Sequence, residues 1–155
     1  MNDDRTTRLD RMRYTKNTAS SRLALLAIVF DVLFFISLYK SDVDTYYYKA
    51  IIGGSIIYNL IFMLAAFLCS EGVKRYQKVY SWVLIVLGAI QVARIFILPM
   101  DAHRTMISGA PVMGDAQFIF VVICLALSAV CLLAAAAVNL KKCRELSAHL
   151  ASLQA

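Results

Sequence analysis

The stretch LALLAIVFDVLFFISLY, residues 23–39, decides how this chain is read. It is apolar on every side of a helix, and its length is near the ~20 residues needed to cross a hydrocarbon core. An aspartate, Asp31, stands at its middle. Three further apolar stretches follow at 50–70, 79–98 and 116–140, the last containing FIFVVICLALSAVCLLAAAAV. With 61% hydrophobic residues and a mean hydropathy of +0.69, the 155-residue chain lies far above the ~45–50% apolar usage of soluble domains. Segments apolar all round need lipid as their solvent. A membrane β-barrel would show ~10-residue strands of alternating polarity, and the sequence has none. The expectation is an all-α, integral membrane four-helix bundle over residues 23–140, preceded by a basic arm at 1–22 and followed by an amphipathic tail at 141–155.

The charges orient it. The arm carries Arg5, Arg8, Arg11, Arg13, Lys16 and Arg22; the connection between spans two and three carries Lys74, Arg75 and Lys78; the tail carries Lys141, Lys142 and Arg144. Opposite them stand only Lys40, Lys49 and Arg104, offset by Asp42, Asp44, Asp101 and Asp115. The positive-inside rule then places both termini in the cytoplasm. Tyr39, Tyr46, Tyr47 and Tyr48 at one boundary and Tyr76, Tyr80 and Trp82 at the other suit headgroup belts. The first span is long for a signal-peptide core, and no small-x-small cleavage site follows it, so it is expected to be retained. In the connection at 99–115, Pro99 is expected to end the third helix and Asp115 to cap the fourth. The tail keeps an apolar line at Leu140, Cys143, Leu146, Leu150 and Leu153, which suits a helix lying on the inner leaflet or against a partner.

Each span has one stripe of small or polar residues at helical spacing: Ala24, Ala27 and Asp31; Ser55, Asn59 and Ala66; Ser81, Gly88, Gln91 and Arg94; Gln117, Cys124, Ser128, Cys131, Ala135 and Asn139. Lipid gives helices no hydrophobic reason to associate, so close packing and interhelical hydrogen bonds must do it, and these stripes are expected to face inward. At ~1.5 Å per residue, Asp31 lies ~13 Å from the inner boundary, Asn59 ~16 Å, Gln91 ~18 Å and Arg94 ~22 Å. The four form an ascending intramembrane ladder. A carboxylate at mid-span costs about 2.5–3.5 kcal/mol on insertion scales. Asp31 can offset this by pairing with Arg94, directly across a ~9 Å gap in depth or through Gln91. It can also keep its proton, or meet a basic residue of another subunit.

No HExxH, GxSxG, Walker loop or DxxD carboxylate pair occurs, so no catalytic residue is assigned and an enzyme is not expected. Met100, Met106, Met113 and His103 match no compact metal site, so neither metal nor cofactor is expected. Cys69, Cys124, Cys131 and Cys143 include no CxxC and read as reduced, structural thiols. The basic flanks are explained by membrane topology without nucleic acid. The first pair of spans does not resemble the second, so no inverted repeat suggests a transporter.

The strings RYTKNTASSRLALLAIVFDV (13–32), YNLIFMLAAFLCSEG (58–72) and QVARIFILP (91–99) resemble uncharacterised small four-span membrane proteins of Gram-positive bacteria. The resemblance implies a bacterial plasma membrane and carries no activity. The small multidrug resistance transporters offer a weaker analogy, with four short spans and a carboxylate in the first. This chain differs in having aspartate for glutamate, a mid-membrane arginine and a strong charge bias. Two functional expectations follow. One is a non-enzymatic accessory or assembly subunit of a membrane complex, contacting lipid and other subunits or further copies of itself. The other is a small proton-coupled transporter or channel that uses Asp31 as a homo-oligomer.

Overall fold

The computed structural model describes residues 16–39, 49–107 and 109–154. The arm through residue 15 and the Tyr46–Tyr48 cluster with Lys40, Asp42 and Asp44 lie outside the described residues. Four helices carry the fold: α1 (Thr18–Tyr39), α2 (Lys49–Lys74), α3 (Lys78–Arg104) and α4 (Asp115–Gln154). Between α3 and α4, β1 (Met106–Ile107) pairs antiparallel with β2 (Ala110–Pro111), turning through Gly109 at φ 87°. All four helices are long and apolar enough to cross a bilayer, which makes this a multi-pass membrane protein.

Consecutive helices are neighbours, and α4 returns to pack along both α3 and α1, while α2 and α3 share the slightest contact of the ring. The interior is assembled from small and polar groups. Ala24, Ala27, Ala66, Ala135, Asn59, Gln91, Ser128 and Asn139 are fully buried, whereas Ile61 is 62% and Trp82 63% exposed. In water that distribution would be inverted; in lipid it places apolar atoms against the solvent that suits them. Gly88 lets α3 approach α4 closely, since a Cβ there would lie 3.1 Å from the Leu133 side chain.

The basic end is stapled by hydrogen bonds. Asn17 caps α1, its Oδ1 accepting the Ser20 N–H at 3.4 Å, and its backbone N–H reaches the Lys74 carbonyl at 3.0 Å. The Asn17 amide also donates to Asn139 Oδ1 at 3.0 Å, and Asn139 Nδ2 donates to Ser81 Oγ at 2.7 Å and the Gln77 carbonyl at 3.2 Å. One α4 side chain therefore holds the start of α1 and the α2–α3 turn. That turn is a Schellman arrangement, with Gln77 N–H on the Gly72 carbonyl, Tyr76 N–H on the Val73 carbonyl, and Tyr76 in the left-handed region at φ 57°. Gly72 is required there, because a Cβ would lie 2.2 Å from the Tyr80 ring.

Three boundaries differ from expectation. α1 begins at Thr18 rather than near 23, because the Asn17 cap draws the polar TASSR segment into the helix. Pro99 lies inside α3, which continues past 98 to Arg104. The carbonyls of that last turn are taken up by the loop: Thr105 N–H and Oγ on Asp101, and Met113 N–H on Ala102. Asp115 is the first residue of α4, not its cap; the Gly114 carbonyl accepts the Phe118 N–H at 2.9 Å.

Asn139→Leu should lower the unfolding free energy in detergent by about 1–3 kcal/mol, because it strands the Asn17 amide and takes the Asn139 donor from the buried Ser81 hydroxyl. Ser147→Ala, on an exposed face, should change it by less than ~0.5 kcal/mol in the same denaturation series.

Candidate functional site: an intramembrane charge cluster

Two apolar clusters fill the bundle. One, toward the basic end, is built on Ala24, Ala27, Phe62, Leu84 and Leu132; the other on Phe34, Leu38, Ala102, Val121 and Leu125. Between them runs a polar layer to which every helix contributes. Asp31 comes from α1, one turn after Ala27, and Asn59 from α2; Gln91 and Arg94 sit one turn apart on α3; Ser128 comes from α4.

The layer centres on one carboxylate oxygen. Asp31 Oδ1 accepts from Arg94 Nη1 at 2.9 Å and from Gln91 Nε2 at 2.9 Å. Arg94 Nη1 also donates to Gln91 Oε1 at 2.8 Å, and Arg94 Nη2 donates to Asn59 Oδ1 at 2.6 Å. Gln91 Nε2 reaches Ser128 Oγ at 3.1 Å, and the Ser128 hydroxyl donates to the Ala27 carbonyl at 3.0 Å. The guanidinium carbon lies 4.7 Å from the ring centres of both Phe34 and Tyr58, so two π faces add to its electrostatic accommodation. The side chain of Asp31 is 1% exposed and that of Arg94 13%.

All four ladder residues, Asp31, Asn59, Gln91 and Arg94, thus meet in one network. The direct ion pair spans a separation that rise per residue alone makes wide. Arg94 closes it by running back along its own helix toward the N-terminus, over Gln91 three residues earlier, and it does not snorkel outward. Ser128 belonged to the inward stripe of α4, but its link to Gln91 could not be read without the helix register. Phe34 and Tyr58 lie outside the small and polar stripes. Their signal was positional: Phe34 is one turn from Asp31, and Tyr58 is an aromatic inside a span rather than at its boundary.

Chemically, the cluster is a desolvated pair of zero net charge. Three polar atoms in and beside it are buried with no partner among the described residues: Asp31 Oδ2, Asn59 Nδ2 and the Tyr58 hydroxyl. The connection between α3 and α4 is separate. His103 stacks on Phe118 at 4.4 Å, with Nδ1 3.2 Å from the Met113 carbonyl and Nε2 3.9 Å from Asp115. Among the described residues no three His, Cys, Asp or Glu side chains converge in a way that could hold a metal. The four cysteines are buried and free. No family model, characterised protein or solved structure matches the chain.

Removing one member of a buried pair leaves the other charge uncompensated in a low-dielectric interior, at about 3–5 kcal/mol. Asp31→Leu and Arg94→Met should each destabilise the detergent-solubilised protein by about that amount. The double variant should unfold at lower cost than the worse single. Additive losses in the chemical denaturation cycle would show that the two side chains do not interact.

Proposed function

We propose that this multi-pass membrane protein is non-enzymatic and serves as an accessory or assembly subunit of a membrane complex. We place it in a bacterial plasma membrane with its basic end in the cytoplasm. The observation that carries the reading is the length of α4. Its 40 residues run unbroken from Asp115 to Gln154, about 60 Å of helix against a hydrocarbon core of ~30 Å. Cys143 meets the bundle at the basic end, its thiol 3.0 Å from the Tyr76 carbonyl. Beyond it Arg144, Glu145, Ser147, Ala148 and Leu150 are exposed, and the Ser147 and Ser152 hydroxyls bond locally to the Arg144 and His149 carbonyls.

Such a projecting helix has to be stabilised by something other than its own bundle. Leu146 and Leu150 give it an apolar line, and Lys141, Lys142 and Arg144 a basic flank, which suits a cytoplasmic or membrane-embedded partner. Asp31 is paired within the chain, so a partner would be met at the exposed end of α4 and not at the charge cluster. The cytoplasmic assignment rests on the basic residues flanking α1, α2, α3 and α4 at that end.

A second reading, a proton-coupled transporter or channel working as a homo-oligomer, draws on Asp31 Oδ2, a buried carboxylate oxygen without a partner that could receive a proton. Asp31→Asn separates the two. Loss of substrate-coupled proton flux with folding intact favours transport, and unchanged flux removes Asp31 from that role.

For the subunit reading, mild crosslinking in native membranes should trap a discrete larger species. Deleting residues 145–154 should abolish that species while leaving the helix content and thermal midpoint of the bundle unchanged. A full-length chain that is monomeric after gentle solubilisation, with nothing trapped, would overturn it.

A further inference from the structure

The slight contact between α2 and α3 leaves a cleft that opens sideways, in the half of the bundle away from the basic end. Its volume is about 320 Å³, within the range of small-molecule sites. Phe34, Ile90, Ala93 and Ile97 make its lining mainly apolar, and Arg94, Ser55 and Tyr58 are its polar residues.

Two features point to an acceptor-bearing ligand. A guanidinium has five N–H donors, and those of Arg94 with protein acceptors are both on Nη1 and one on Nη2. Nε–H and the second Nη2–H have none among the described residues. The Tyr58 hydroxyl beside it is buried and also lacks a partner. The two remaining N–H donors of Arg94 therefore lie beside an apolar slot, and the rings of Phe34 and Tyr58 hold the guanidinium in place. Stranded donors in lipid are costly, so an occupant that supplies oxygen acceptors and an apolar chain is favoured at both ends.

We infer that the cleft binds a single-chain membrane amphiphile carrying a carboxylate, with its oxygens on Arg94 and its chain along the apolar walls of Ala93 and Ile97. A carboxylate presents two planar acceptors that match the remaining guanidinium donors. A single chain suits a slot that opens laterally between two helices. Arg94 lies about 8 Å beneath the outer boundary by rise per residue, deeper than the phosphate of a diacyl lipid sits. This site is independent of the projecting end of α4.

The test uses the full-length protein in phosphatidylcholine nanodiscs, titrated with oleate labelled with ¹³C at the carboxyl. The wild type should show a second, saturable carboxyl resonance. Gly54→Leu should abolish it without unfolding the bundle, because Gly54 lines the cleft and a Cβ there meets nothing within 4 Å. Four results would overturn the inference: no saturable resonance in the wild type; saturable binding that survives Gly54→Leu; oleyl alcohol competing as well as oleate, which would make the cleft merely apolar; or phosphatidylglycerol displacing oleate at equal concentration, which would assign it to a phosphate. Crosslinking of Gly54→Cys to a second copy at stoichiometric yield would give the cleft to another helix and overturn it too.

Discussion

One contact sets the terms for the rest of this bundle: the 2.9 Å pair between Asp31 and Arg94. Lipid supplies neither counter-charge nor hydrogen bonds, so a carboxylate at mid-span must find both within protein. It finds them on α3, and the accommodation then recruits every helix. Gln91 bridges the pair to Ser128, Asn59 takes the far side of the guanidinium, and Phe34 and Tyr58 lie against it. A one-residue slip of any helix would strand several of these groups at once. The polar layer therefore specifies register, the use of buried charge that is best attested physically. It need not add net stability to do so.

Above and below this layer the bundle is held by shape. Its core clusters are rich in alanine and cysteine, while leucine, isoleucine and phenylalanine dominate the outside. Gly88 and Gly72 mark where helix surfaces come too close for a side chain. At the basic end Asn139 repeats on a smaller scale what Asp31 does at the centre, gathering Asn17, Ser81 and the Gln77 carbonyl around one amide. The two networks lie on α4 at Ser128 and Asn139, about three turns apart, which makes α4 the spine against which α1 and α3 are aligned.

The functional surfaces separate along the same axis. Because the charge cluster is neutral and closed within the chain, it leaves the periphery to carry interactions. At one end α4 runs on past Cys143; in the opposite half the α2–α3 seam opens beside Arg94. The same arginine that closes the core thus also lines the cleft between α2 and α3. An occupant of the cleft would touch the side chain that holds the register.

The sequence by itself determined the medium, the number of crossings and the inward faces. Hydropathy over ~20-residue windows is a local property, and the small and polar stripes at helical spacing could be projected onto helix surfaces without knowing their partners. Ala24, Ala27, Asp31, Asn59, Ala66, Gln91, Ser128 and Asn139 were on those stripes and are buried. Only the tertiary structure decided how the stripes meet. Whether Asp31 reaches Arg94 depends on the relative heights of α1 and α3 and on the direction of a long side chain, neither of which is encoded in spacing along one helix. The same holds for Pro99, whose helix continues because Thr105 and Met113 return to take the carbonyls of its last turn. The α2–α3 cleft is the clearest case: it is a space left between two helices, and no single segment carries a mark of the packing it lacks.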